Sequence, residues 1–305
     1  MPFTLSHAAA VLPAVRRTGT ARGRLVASAL VAGSFAPDMT YYADTLVPGG
    51  MEFGAATHAP SGVLTVDVLI TAALVGGWLM VRDPLLALLP RAWRGRVALC
   101  VRGRPWRARG PRELAALTGW FVLSAVLGSL THVVWDAFTH PGRWGTRLVP
   151  GLDRVVGGWP VPTYLQYGTS ALAMTALVWF GWSALRAAGA ADPAVRAAAA
   201  AAVPVLPVRL RLLLTLPLLV CVLAGAVHRV LRAHADYGDR AVWFDYLPTA
   251  LFGAGAGLIV GLLLHGLAVR LLDRRARRGR PADGPLPAAR AGAAADPREA
   301  VRATD

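Results

Sequence analysis

The chain has 305 residues, of which 55% are hydrophobic and only 16% charged, well below the roughly 25% charged residues of soluble domains, so an ordinary water-soluble fold is excluded. Every one of its 32 basic residues is arginine, against 17 acidic residues, for a formal charge of +15. The distribution of that charge argues against nucleic acid as a partner. Four segments (16–24, 82–113, 186–211 and 270 onward) hold 26 arginines, while 139–163 and 229–242 hold 6. Those segments alternate along the chain, as the positive-inside rule requires of a protein that crosses a membrane several times.

In chain order, the first elements are two short apolar stretches, 4–15 and 25–37, joined by the arginine turn 16–24. A 12-residue helix is only about 18 Å long and cannot cross a bilayer, so the pair is expected as a helical hairpin packed on the other spans. Ser6 is a candidate N-cap for the first helix, and Pro37 marks the end of the second. An antiparallel hairpin brings His7 next to Asp38. The N-terminus lacks a basic start and does not read as a cleavable signal. Five segments then approach the ~20 apolar residues that a spanning helix needs, at about 62–81, 114–138, 164–185, 212–231 and 243–271. The expected fold is therefore all-α, a polytopic membrane helical bundle with five full-length spans plus the N-terminal hairpin at 4–37.

Between the first two spans, the 82–113 loop carries Leu85–Leu89, Trp93 and Trp106 among its arginines and is expected along the inner membrane surface. The alanine-rich stretch 187–208 contains Pro193, Pro204 and Pro207 and reads as a connection. The domain reading is a membrane domain over 1–272 and a disordered tail over 273–305, whose arginines meet anionic lipid headgroups at the cytoplasmic face. Cys100 and Cys221 lie in a loop and in mid-span, so no disulfide and no cysteine metal motif is expected.

The arginine bias places 38–61, 139–163 and 229–242 on the outer side. His132 and Asp136 lie one helical turn apart on one face. His132 is 18 residues past Leu114, roughly 27 Å along the second span from its inner boundary. His7, Asp38, His58, His132 and Asp136 thus reach one level near the outer face from four separate stretches. Ionisable groups are costly at a span's end, so a site is the default reading. Imidazole and carboxylate ligands without thiolate suit zinc, manganese, iron or magnesium. His132, Asp136 and His58 are the first candidates for metal ligands. Asp38 and His7 are candidates for further ligands, or for a catalytic role as base or orienting group. The plainer alternative is that His132 and Asp136 hydrogen-bond each other or a neighbouring helix.

Other polar positions carry weaker expectations. His140 reads as an exposed loop histidine or an extra ligand. Asp67 borders the site or bonds to a nearby threonine. His228, His234 and His265 read as packing or interfacial residues. Tyr164, Gln166, Tyr167, Trp243, Asp245 and Tyr246 form an aromatic belt in which Gln166 and Asp245 are able to line a pocket.

The opening Met1–Pro13, Gly33–Asp38, Ala56–His58, Leu130–Pro141 and Leu165–Tyr167 resemble a bacterial integral-membrane family, domain of unknown function 4184, over about residues 1–270. A more distant resemblance is to membrane-bound metal-dependent hydrolases, which implies roles for His7, Asp38, His58, His132 and Asp136. Phe53 and Thr40 stand where that group tends to have a further His and Asp, so a two-metal site is not implied. The resulting expectation is a multi-pass protein of the bacterial cytoplasmic membrane with a divalent metal, zinc first, that hydrolyses a phosphoester or lipid-linked substrate. The competing readings are a proton or metal-ion transporter and a non-catalytic membrane scaffold.

Overall fold

The computed structural model describes residues 4–103, 106, 110–238 and 243–278, with the backbone alone for 243–245 and 276–278. Short helices come first: α1 (Ala8–Val11), α2 (Ala27–Gly33), α3 (Met39–Ala43), α4 (Gly54–Thr57) and α5 (Pro60–Leu64). They are followed by α6 (Val66–Leu88), α7 (Arg91–Val101), α8 (Pro111–Thr139), α9 (Trp144–Leu148), α10 (Val161–Gly189), α11 (Pro193–Ala201), α12 (Val208–Tyr237) and α13 (Trp243–Arg278). Five of these, α6, α8, α10, α12 and α13, are long and apolar enough to cross a bilayer. Residues through Val269 form one unit; those from Arg270 form a second, of which the described part is the end of α13.

Contacts at the helix ends show that the five long helices alternate in direction. At one end, Arg102 near the end of α7 bonds Asp83 of α6 at 3.1 Å and the carbonyl of Ala199 in α11 at 2.8 Å. His265 of α13 lies 3.3 Å from the carbonyl of Pro84. The arginine turn sits there too, since a Cβ on Gly19 would meet the Cys100 carbonyl. Leu86, Ala87, Ala98, Val203, Leu206 and Val269 form an apolar cluster at this end. The arginine-rich segments 16–24, 82–103 and 186–211 thus gather at one end of the bundle. At the other end, Trp135 of α8 donates to Thr169 of α10 at 3.1 Å, and Arg232 of α12 meets Asp44 at 2.7 Å.

Two glycine contacts set the helix spacing. Gly33 of α2 and Gly128 of α8 face each other so closely that a Cβ on Gly128 would lie 2.3 Å from the Leu30 carbonyl oxygen. Gly253, Gly257 and Gly261 repeat every fourth residue on α13, and a Cβ on Gly257 would lie 2.0 Å from the Cys221 oxygen on α12. Small residues at this spacing let backbones approach where no solvent drives association. Gly128→Leu is expected to destabilise the protein by about 3 kcal/mol or prevent folding, read as thermal unfolding in detergent, because the obstructing atoms are backbone.

Several elements differ from the sequence expectation. The first span starts at Val66, not near 62, because Pro60 opens the separate helix α5 and Thr65 breaks the path with φ −128° and ψ −78°. It also runs on through Pro84, so Leu85–Leu88 close a span instead of lying on the membrane surface. Pro37 does not end an element: it opens the 3-10 turn Ala36–Asp38 that leads into α3, as a proline at a first turn can. Ser6 is not an N-cap; it lies within the 3-10 turn Thr4–His7, with its hydroxyl 3.4 Å from that of Ser170. The alanine-rich connection contains a true helix, α11, capped by Asp192 through a 2.6 Å bond from the Ala194 amide. The helix α13 continues to Arg278, past the expected boundary at 272. The rest of the expected tail, 279–305, lies outside the described residues, as do the side chains of Trp243 and Asp245.

Candidate metal centre

Two polar groups of the site come from the ends of short elements, and two from one long helix. Asp38 ends the 3-10 turn begun by Ala36, and His58 follows the last residue of α4. His132 and Asp136 lie on the inward face of α8, one turn apart. The Gly33–Gly128 approach presses α2 against α8 and presents the Ser34 carbonyl to His132.

The four side chains converge. One ligand atom from each of Asp38, His58, His132 and Asp136 lies within 4.8 Å of those of the other three. His132 Nε2 is 3.4 Å from Asp38 Oδ1 and 3.5 Å from Asp136 Oδ2. His58 Nε2 is 4.0 Å from Asp38 Oδ1 and 3.6 Å from Asp136 Oδ2. All four residues are buried.

Bonds on the outer side of each ring fix which nitrogen faces inward. His132 Nδ1 is 2.8 Å from the Ser34 carbonyl oxygen, and His58 Nδ1 is 2.8 Å from that of Gly54. A carbonyl only accepts, so each Nδ1 carries the proton and each Nε2 turns its lone pair to the centre. Neither Nε2, nor Asp38 Oδ1, has a hydrogen-bond partner among the described residues. Asp38 is held from behind by the Thr4 hydroxyl, which donates to Oδ2 at 2.6 Å. Thr57 donates to the Pro37 carbonyl at 2.8 Å and ties the His58 turn to the Asp38 turn.

His7 joins the group from the hairpin, as the antiparallel pairing anticipated. Its ring stacks on His132 with centroids 3.6 Å apart, and its Nε2 is 3.4 Å from Asp136 Oδ1. Burial pushes the His7 imidazole down to about 3, so it is neutral at ordinary pH. His140 is not an exposed loop histidine. It is partly buried after α8, with Nδ1 3.6 Å from Asp136 Oδ1 and Nε2 3.3 Å from Gln166. Asp67 and Thr71 of α6 are fully buried, and neither Asp67 oxygen has a hydrogen-bond partner among the described residues.

The sequence reading missed the groups behind the ligand-type atoms: Thr4, Thr57 and two backbone carbonyls. Thr4 was within reach, as a hydroxyl three residues before His7 in a stretch already expected beside Asp38. The carbonyls leave no trace in residue type.

Fold and site define a multi-pass helical membrane protein with a buried centre of two histidines and two aspartates. The chain belongs to the family described as Domain of unknown function (DUF4184), whose profile matches residues 1–267. No curated protein and no solved structure matches it.

Proposed function

We propose that the chain is a metal-dependent hydrolase of the bacterial cytoplasmic membrane, acting near its outer face on a phosphoester or related lipid-linked bond. One observation carries this reading. Four lone-pair atoms face one another at 3.4–4.0 Å across the pairs measured, too far for good hydrogen bonds. Ligands about 2.1 Å from a tetrahedral ion stand roughly 3.4 Å apart, which is the separation of the closer pairs. Asp38, His58, His132 and Asp136 would hold the ion, zinc by ligand type, and Thr4, Ser34 and Gly54 would orient them.

A divalent metal bound there would supply Lewis acidity and, through a coordination position beyond the four protein ligands, lower the pKa of a bound water towards neutrality. The chain's own residues do the rest. The two Nδ1–carbonyl bonds fix the ring tautomers, and Thr4 leaves Asp38 Oδ1 turned inward. His7 packs on His132 and holds Asp136 in place. Burial keeps bulk water from the carboxylates. The gathering of arginines at the opposite end supports an outward-facing site.

Protein in proteoliposomes is expected to cleave a phosphoester lipid when loaded with zinc and to stop when chelated. Absence of turnover across phosphoester lipids by fully loaded protein contradicts the enzymatic reading. Thr4→Val removes the bond behind Asp38 and is expected to weaken metal affinity about 10–100-fold, measured by competition with a chromophoric chelator.

Asp67 and Thr71 favour a second reading, proton or metal-ion transport, because they extend the buried polar groups one element further. Ion movement across proteoliposomes without hydrolysis would select it.

A further inference from the structure

A cavity lies at the same end of the bundle as the histidine–aspartate centre. It has a volume of about 410 Å³, and its lining includes Asp44, Glu52, Arg229, Arg232 and Asp236. The helix α3 joins the two places: Asp38 and Asp44 are six residues apart, roughly 9 Å along a helix. Tyr41 lies between Asp38 and Asp44 in the chain, its ring 6.0 Å from that of His58 and 5.6 Å from that of Phe252.

The charges in this cavity are separated: Arg229 and Arg232 meet Asp44 inside it, and two further carboxylates stand at its rim. Asp44 is buried and accepts from both arginines: Arg229 through Nη1, and Arg232 through Nη2 at 2.7 Å. Arg232 Nη1 also donates to the Asp44 carbonyl at 2.9 Å. Two guanidinium groups therefore face one carboxylate. A tie between the 44–52 loop and α12 needs only one of them; Arg232, one-third exposed, adds a second positive charge to the cavity wall. Arg229 is 5% exposed, and its Nε has no hydrogen-bond partner among the described residues. The cavity is preformed, because Met51 N donates to Asp44 Oδ1 at 3.3 Å and a Cβ on Gly50 would meet the Asp44 amide nitrogen at 2.9 Å. Glu52 and Asp236, both exposed, place negative charge at the rim.

We infer that this cavity binds a phosphate ester of an amino alcohol, with the phosphate on Arg229 and Arg232 and the ammonium towards Glu52 and Asp236. Two arginines present a fork that matches phosphate oxygens. A simple anion would meet repulsion at the rim, whereas a zwitterion answers both signs. The volume suits a small headgroup. The free compound and a lipid headgroup share this chemistry. The inference does not depend on the metal: the cavity and its arginines stand whether or not the neighbouring centre is loaded.

The test uses the full chain in detergent with a chelator present, so that phosphate cannot bind through a metal, and calorimetry with phosphoethanolamine and with inorganic phosphate. Phosphoethanolamine is expected to bind more tightly than phosphate. Arg232→Gln, at a side chain one-third exposed, is expected to weaken both by at least ~10-fold while the protein still unfolds cooperatively. Glu52→Gln, on the surface, is expected to weaken phosphoethanolamine alone. Nanodiscs of phosphatidylethanolamine against phosphatidylglycerol, read by native mass spectrometry, separate the sources: retained lipid identifies a headgroup, and binding of the soluble compound alone identifies the free ester. Binding of neither form, binding indifferent to Arg232→Gln, or equal affinity for the two anions overturns the proposal.

Discussion

His132→Ala is expected to abolish tight metal binding, with a loss beyond the ~100-fold that removal of an orienting partner costs. The residue is central to the geometry. Its Nε2 lies 3.4 Å from one carboxylate oxygen and 3.5 Å from the other, and its Nδ1 is anchored to the backbone at 2.8 Å. Alanine removes one ligand of four and leaves Asp38 and Asp136 buried without the imidazole between them. The variant also separates two accounts of the same contacts. If His132 and Asp136 only joined neighbouring helices, alanine would lower stability and leave metal content unchanged. Elemental analysis of wild type and variant after identical zinc loading decides between them.

Asp44→Ala is expected to destabilise the protein by about 3 kcal/mol, seen as a lower thermal midpoint in detergent. The carboxylate is 2% exposed and both of its oxygens are bonded, to two arginines and a backbone amide. Without it, Arg229 is left buried and charged, and the 44–52 loop loses its attachment to α12. Arg232→Ala is expected to cost about 1 kcal/mol or less, because that side chain is one-third exposed and solvent screens its charge. An Asp44 variant as stable as wild type would contradict this view of the tie.

The spans were readable because a bilayer demands apolar length, and length is a property of sequence alone. The two ends of the bundle were readable from arginine counts. The meeting of Asp38, His58, His132 and Asp136 was readable because ionisable groups are rare in so apolar a chain and an i, i+4 pair fixes a face. What positions those residues was not. The Ser34 and Gly54 carbonyls that aim the two rings are invisible to residue type. The Gly253–Gly257–Gly261 stripe gains meaning only once α12 is known to be its partner. Arg229 and Arg232 counted merely as charge near a loop, because Asp44 is 185 and 188 residues away in the chain. The first span was expected to stop near 81, yet it runs on through Pro84, because one missing amide bond does not stop a helix supported by its neighbours.

The most direct measurement is the zinc content and zinc-edge absorption spectrum of purified, zinc-loaded protein, compared with the double variant His58→Ala/His132→Ala. The expected result is one zinc per chain, bound by imidazole nitrogen and carboxylate oxygen at about 2.0–2.2 Å, and none in the variant. Wild-type protein that retains no metal under these conditions, or a variant that retains the same metal with the same spectrum, would contradict a centre built from Asp38, His58, His132 and Asp136.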